Sequence, residues 1–176
     1  NPFSSRETEI CGDDLERCEK AIDRSWKEII AAAENWNDTS QACERTTFIG
    51  YEYSSFRMGS NLHRNVIFRG SYVPRRPISY MDVKREWELW ELLDTVCNES
   101  DTGCEAIAIP HNSNISNGRM FKIDYPDASG VEAQTARARL RIKIEPIVEI
   151  MQHKGDSECR RGVPGVMGVD DALCDF

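Results

Sequence analysis

No run of about 18 consecutive apolar residues occurs in these 176 residues, 30% of which are charged, so no membrane-spanning helix is expected. Excess positive charge is missing as well. Against 30 Asp and Glu stand only 22 Lys and Arg, for a net charge of −8, and because neutralising phosphates takes a net positive face, no wholesale binding to a nucleic-acid backbone is expected. There is no C-x2-C pair, and no histidine at helical spacing from a cysteine. That argues against a zinc ribbon and against a dithiol redox motif. Internal repeats and low-complexity tracts are absent. The chain opens on Asn1-Pro2-Phe3 with no Met, basic leader or apolar signal core, which is expected of a processed or excised piece.

What remains is a core-forming sequence rich in cysteine. Hydrophobic residues make up 40% and aromatic ones 9%, enough to bury a core rather than stay disordered. Seven cysteines (Cys11, Cys18, Cys43, Cys97, Cys104, Cys159 and Cys174) are many for a reduced cytosolic protein, so disulfides and a periplasmic or secreted location are expected. The natural short loops are Cys97 to Cys104 and Cys159 to Cys174. A third bridge from Cys43 to Cys11 or Cys18 would leave one thiol over. Buried unpaired thiols are the alternative.

Hydrophobic spacing divides the chain. Residues 14–34 carry Leu15, Cys18, Ile22, Trp26, Ile29, Ile30 and Ala33 at three- and four-residue steps behind Asp13-Asp14, which predicts an amphipathic helix. Residues 46–70 hold a β-branched and aromatic strand (TTFIGYEY), a Met58-Gly59-Ser60 turn and a second hairpin arm (LHRNVIFR). A proline-bearing connector over 72–81 leads to a helix over 85–97 with Trp87, Leu89, Trp90, Leu92, Leu93 and Val96 on one broad face. Residues 105–121 form a short buried strand and a polar loop, 131–151 a helix and then a buried strand PIVEIM, and 152–176 an irregular tail. Strand, helix, strand, helix, strand is the alternation of an α/β fold with a parallel sheet or barrel.

In such a fold reactive residues stand where strands end. Glu52 follows Phe48 to Tyr51, His111 follows Ile109-Pro110, and Glu149 and His153 close the last predicted strand; His63 sits on the hairpin's second arm. A carboxylate in an otherwise apolar strand is costly to bury unless it is paired or bound to a metal. Together Glu52, His63 and His111 offer the imidazole nitrogen and carboxylate oxygen that zinc, manganese or iron takes. The run from His111 to Arg119 combines the amides of Asn112 and Asn114, exposable N–H groups and the Arg119 guanidinium, chemistry that can hold an oxyanion and that equally suits a hydrogen-bonded surface turn. Arg64 is a further candidate for steadying an anion.

The strings TTFIGYEYSS, NLHRNVIFRG, CEAIAIPHNSNISNGRMF and EPIVEIMQHKGDSE resemble the bacterial family known as domain of unknown function 3604. That family in turn resembles the polymerase-and-histidinol-phosphatase (PHP) superfamily of metal-dependent phosphoesterases. The resemblance implies part of a distorted TIM-like barrel with a β-hairpin, incomplete without N- and C-terminal segments, and a site of two or three divalent metal ions. It places Glu52, His63 and His111 at ligand positions. The superfamily's first-strand His-x-His pair, a further histidine and its last-strand Asp-x-His pair have no counterpart here. Glu149 and His153 match the family's own string without an assigned superfamily role.

A closed barrel of this kind takes about 250 residues, so the 176-residue chain is expected to be a central piece, inactive alone or dependent on the protein's other segments. The expected partner is a small anionic substrate such as a phosphate ester. The competing expectation is a disulfide-stapled exported binding or scaffold module. The two part on geometry: a metal centre needs Glu52, His63 and His111 to converge, whereas a scaffold does not.

Overall fold

The computed structural model describes residues 6–152 and 155–156. Helix formation begins where a short acidic side chain can satisfy an open N–H: Asp14 Oδ1 accepts the Glu16 amide at 3.0 Å. Helix α1 (Thr8–Cys11) is a single turn, and the Cys11–Cys18 disulfide ties it to α2 (Glu16–Trp36). The apolar stripe of α2 lies on the core through Trp26, with Ile30 and Ala33 behind it. The Trp26 ring meets Tyr51 edge-on at 5.8 Å and Phe68 at 6.0 Å, and its Nε1 donates to the Pro74 carbonyl at 2.9 Å. The buried indole therefore keeps its one polar group satisfied.

Five strands follow in two sheets. Strands β1 (Gly50–Tyr53), β4 (Arg64–Phe68) and β5 (Ala106–Pro110) form a three-stranded sheet in the order β1-β4-β5, while β2 (Phe56–Arg57) and β3 (Ser60–Asn61) make the small hairpin between β1 and β4. Met58 and Gly59, both at positive φ (50° and 75°), form the two-residue reversal at its tip. Both pairings in the larger sheet are antiparallel; that of β1 with β4 is the expected hairpin, and that of β4 with β5 corrects the expected parallel sheet. The hairpin feeds β4 back between its neighbours. Strands β1 and β5 consequently run in the same direction, as the strand–helix–strand alternation implied, but the reversed β4 separates them.

Helix α3 (Glu86–Leu93) buries Trp87, Leu89, Trp90 and Leu93 and continues into a π-helical turn, Asp94–Asn98. There the Glu99 N–H bonds the Asp94 carbonyl at 2.8 Å, an i→i+5 step. The wider turn brings Cys97 to the core and leaves Val96 at 39% exposure, where uninterrupted α-helical spacing predicts Val96 inward. Cys97 then bonds Cys104, the pairing expected from the short loop. Asn98 grips the start of β5 from both sides, accepting from the Ala106 N–H at 2.8 Å and donating to its carbonyl at 3.0 Å.

Helix α4 (Gly130–Ile144) packs on α3 and β5 and ends on the buried Ile144. The buried strand expected over Pro146 to Met151 does not form. Ile147, Val148 and Ile150 are 54%, 44% and 59% exposed, and residues 145–150 carry no regular structure. Pro146 has no N–H to give a ladder, and the segment touches the sheet through one backbone bond, Glu149 N–H to the Pro110 carbonyl at 3.0 Å. Only β6 (Met151–Gln152) and β7 (Gly155–Asp156) pair, with each other. The architecture of the described residues is mixed α/β, four α-helices with small antiparallel sheets, and no closed barrel is present among them.

Two further expectations are corrected inside this frame. Cys43 is an exposed free thiol, because Cys11 and Cys18 bond each other; Cys159 and Cys174 lie outside the described residues. Arg64, expected to steady an anion, is buried with Glu145 (side chains 1% and 2% exposed) at 2.8 Å and also donates to the Leu62 carbonyl. Glu145 accepts in addition from Trp90 Nε1 at 2.7 Å and Arg141 Nε at 3.1 Å. It is the hub of an ionic cluster within the core.

Candidate metal centre

Strand alternation decides which side chains can meet. On β4 the buried residues are Arg64, Val66 and Phe68, opposite Tyr53, Tyr51, Pro110, Ala108 and Ala106. These face the helices. The other face carries Glu52 opposite Asn65 and Asn65 opposite Ile109. His63 lies two residues before Asn65 and His111 two residues after Ile109, so both fall on the Glu52 face by the period of two. The His111 N–H bonds the His63 carbonyl at 3.2 Å, which continues the ladder one step past the strand ends. Glu52 and His63 are thus diagonal neighbours across an antiparallel pair, within reach of long side chains.

The three side chains converge. Glu52 Oε1 is 3.0 Å from His63 Nδ1, and Glu52 Oε2 is 3.5 Å from His111 Nε2. One ligand atom from each residue lies within 4.8 Å of the others. The imidazoles are largely enclosed (18% and 15% exposed), whereas the Glu52 side chain is 41% exposed and leaves the cluster open on one side. The rings stand 5.8 Å apart, inclined at 60°. Among the described residues His111 Nε2, although buried and 3.5 Å from Glu52 Oε2, has no hydrogen-bond partner.

That buried nitrogen tests the fit to a metal. A polar atom denied both water and a hydrogen bond costs free energy, and a cation between it and Glu52 would relieve that cost. Ligands about 2.0–2.2 Å from a tetrahedral zinc stand roughly 3.3 Å apart, close to the two separations between Glu52 and the imidazoles, 3.0 and 3.5 Å. Two imidazoles and a carboxylate are also the donor set of open catalytic zinc sites and of non-haem iron sites. The residues fit a divalent cation of the zinc, manganese or iron type.

The other candidate residues divide. Ser54, not singled out from the sequence, donates to Glu52 Oε1 at 2.6 Å and orients the carboxylate. Its only signal was the two-residue spacing in Glu52-Tyr53-Ser54. Asn112, at φ 62°, gives its backbone N–H to Glu149 Oε2 at 2.8 Å, so a carboxylate takes the donor that an anion would use. Glu149 thereby buttresses the loop that begins at His111. Asn114 lies in the short 3-10 turn Ser113–Ile115. Arg119 turns to the β2–β3 hairpin, where it donates to Ser60 Oγ at 3.2 Å and the Met58 carbonyl at 3.4 Å. His153 is outside the described residues.

No helix among the described residues is long and apolar enough to cross a membrane. No curated protein and no solved structure matches the chain significantly. A family model does match it over its whole length, residues 1–176, and the chain belongs to that family, described as protein of unknown function DUF3604.

Proposed function

We propose that Glu52, His63 and His111 hold a divalent cation, zinc, manganese or iron, and that the domain contributes this site to an exported metal-dependent hydrolase of phosphate esters. The observation that carries the metal reading is the buried, unbonded Nε2 of His111 beside the Glu52 carboxylate. The hydrolase reading leans on the resemblance to metal-dependent phosphoesterases. When bound, such a cation neutralises phosphoryl oxygens and lowers the pKa of a water so that hydroxide is available near neutral pH. The chain's own residues have plain tasks. His63 and His111 each present a ring nitrogen from the same end of the sheet. Glu52 adds the negative charge that offsets the cation, held in place by Ser54. The open side at Glu52 admits a substrate anion.

Zinc and manganese titrations of the 176-residue chain, read by calorimetry, test the site. One ion per chain is expected, with affinity at least tenfold weaker in His63→Ala, His111→Ala and Glu52→Gln. An orienting role predicts a loss of about 10- to 100-fold for Ser54→Ala. Unchanged affinity in His111→Ala would sink the metal reading and favour the scaffold alternative. The superfamily's remaining ligand pairs have no counterpart here, so the chain alone is expected to hydrolyse p-nitrophenyl phosphate and its bis-ester at the background rate. Metal-dependent turnover by the chain alone would overturn the view that it holds only part of a ligand set.

A further inference from the structure

A second candidate site shares none of the three residues of the metal centre. A cavity of about 300 Å³ opens between the tip of the β2–β3 hairpin, the start of α3 and the segment from Arg119 to Pro126. Leu62, adjacent to His63, forms part of its wall.

The charge of this cavity runs against that of the chain. Five lining residues are basic (Arg57, Arg85, Arg119, Lys122 and Arg141) and two, Glu86 and Asp124, are acidic, whereas the whole chain has 22 basic against 30 acidic residues. Cations gathered around a concavity focus their field into it and attract an anion. Two of them are fixed in advance. Arg141 donates to the Met120 and Lys122 carbonyls and to Glu145, and Arg119 donates to Ser60 and Met58. Among the described residues neither Arg57 nor Lys122 has an ion-pair partner, so their charges are free to be met by a ligand.

Aromatic surface supplies the other half of the site. Trp87, Trp90 and Tyr125 line the same cavity. The Arg85 guanidinium lies over the Trp87 ring at 5.0 Å and that of Arg141 over Trp90 at 5.5 Å. Flat guanidinium groups alternating with flat rings suit a planar body that carries an acidic head. The volume is at the lower end for ligand sites, enough for one ring and its oxyanion and too small for a nucleotide.

We propose that this cavity binds a small organic oxyanion with a planar apolar body, of the aryl phosphate, sulfate or carboxylate class. The anion is held by Arg57, Lys122 and the prepositioned Arg119 and Arg141, and the ring rests against Trp87. Binding requires no metal and stands independently of the Glu52–His63–His111 reading.

Tryptophan fluorescence of the 176-residue chain, titrated with phenyl phosphate in the presence of EDTA, reads the site directly, because Trp87 and Trp90 line it. The expected result is a saturable change that weakens as ionic strength rises, with phenol and inorganic phosphate each at least tenfold weaker. Arg57→Ala combined with Lys122→Ala should weaken binding at least fivefold, with far-UV circular dichroism confirming that the variant is folded. Trp87→Phe should reduce the amplitude. Absence of saturation at millimolar phenyl phosphate would overturn the proposal. So would equal affinity for phenol, indifference to salt, or unchanged affinity in the folded double charge variant.

Discussion

Replacing Glu145 by Leu should be among the most destabilising single changes available to this chain. The carboxylate is 2% exposed and accepts three hydrogen bonds, from Arg64 at 2.8 Å, Trp90 at 2.7 Å and Arg141 at 3.1 Å. Arg141 keeps two carbonyl acceptors after the change. Arg64, only 1% exposed, keeps just the Leu62 carbonyl and becomes a buried cation without a counter-charge. Breaking a buried pair from one side costs about 3–5 kcal/mol, and the orphaned Trp90 N–H adds part of a further ~1–3 kcal/mol. Domains are stable by about 5–15 kcal/mol, so the variant should be near the edge of folding. A melting point lower by roughly 6–20 °C follows for a chain of this size.

The companion variant Arg64→Met/Glu145→Leu removes both charges while keeping apolar volume, and apolar replacements of buried ion pairs are often neutral. It should recover most of the loss and remain about 1–3 kcal/mol below wild type because Trp90 still lacks an acceptor. Urea unfolding of Glu145→Leu, Arg64→Met and the double variant at fixed pH, with the disulfides intact and the slope unchanged, measures all three differences from wild type. A Glu145→Leu cost under about 1 kcal/mol, or a double variant no better than the sum of the singles, would refute the reasoning.

Three shorter predictions rest on other parts of the fold. At Gly50 an added Cβ would stand 2.8 Å from both Ile67 Cδ1 and the Val66 carbonyl oxygen, and that backbone oxygen cannot yield without disturbing the β1–β4 ladder. Gly50→Ala should therefore cost about 1–3 kcal/mol in urea unfolding, and a neutral result would mean that the strands do not approach this closely. Removing Cys97–Cys104 by paired alanine substitutions should lower stability by about 2.5 kcal/mol from the loop it closes. Removing Cys11–Cys18, of equal separation, should cost less, because it holds only a one-turn helix that can open locally; equal losses by urea unfolding would contradict this. Burial holds the Tyr51 and Tyr53 phenols above their ordinary value of 10.0, so above about pH 10 the unfolded chain releases protons that the native state retains. Stability should fall as pH rises past that point, and alkaline melting curves in which Tyr53→Phe leaves the fall unchanged would argue against Tyr53 as a source.

Local pattern makes the helices and the β1–β4 hairpin legible and leaves the order of strands in the sheet open. The three-to-four spacing around Trp26 and the Trp87-Leu89-Trp90-Leu93 cluster mark α2 and α3 before any coordinate is known. The turn residues mark β4 as the second arm of a hairpin, but alternation along a strand carries no sign of its further neighbours, and so the placement of β4 between β1 and β5 is not legible from apolar residues alone. The apolar run after Pro146 has the composition of a strand. What it lacks is tertiary, a ladder with the sheet, which its backbone meets at Glu149 N–H to the Pro110 carbonyl. The approach of Glu52 and His111 is legible because both stand at the ends of strands that run in the same direction, and His63 joins them from the second arm of the hairpin. It works because His63 precedes its strand while Glu52 and His111 stand near the ends of theirs. The cavity was out of reach, since Arg57, Trp87, Lys122 and Arg141 are distant in sequence and meet only through packing.

The segment Leu62-His63-Arg64 shows how closely these features depend on one register. Leu62 walls the cavity, His63 faces Glu52 on the outer sheet face, and Arg64 enters the core to meet Glu145. Consecutive residues can serve such different surroundings because an extended backbone turns each side chain away from the last. A slip of one residue would exchange these environments wholesale. It would bring an imidazole to Glu145 and aim a guanidinium at the metal cluster, where its positive charge would oppose a cation. The features that hold the register, the Tyr53–Arg64–Pro110 cross-strand row and the tight Gly50–Val66 approach, are therefore requirements of both proposed sites as much as of the fold. By the same argument Gly50→Ala, remote from every ligand, should weaken metal binding as well as stability, to the extent that it shifts β1 against β4.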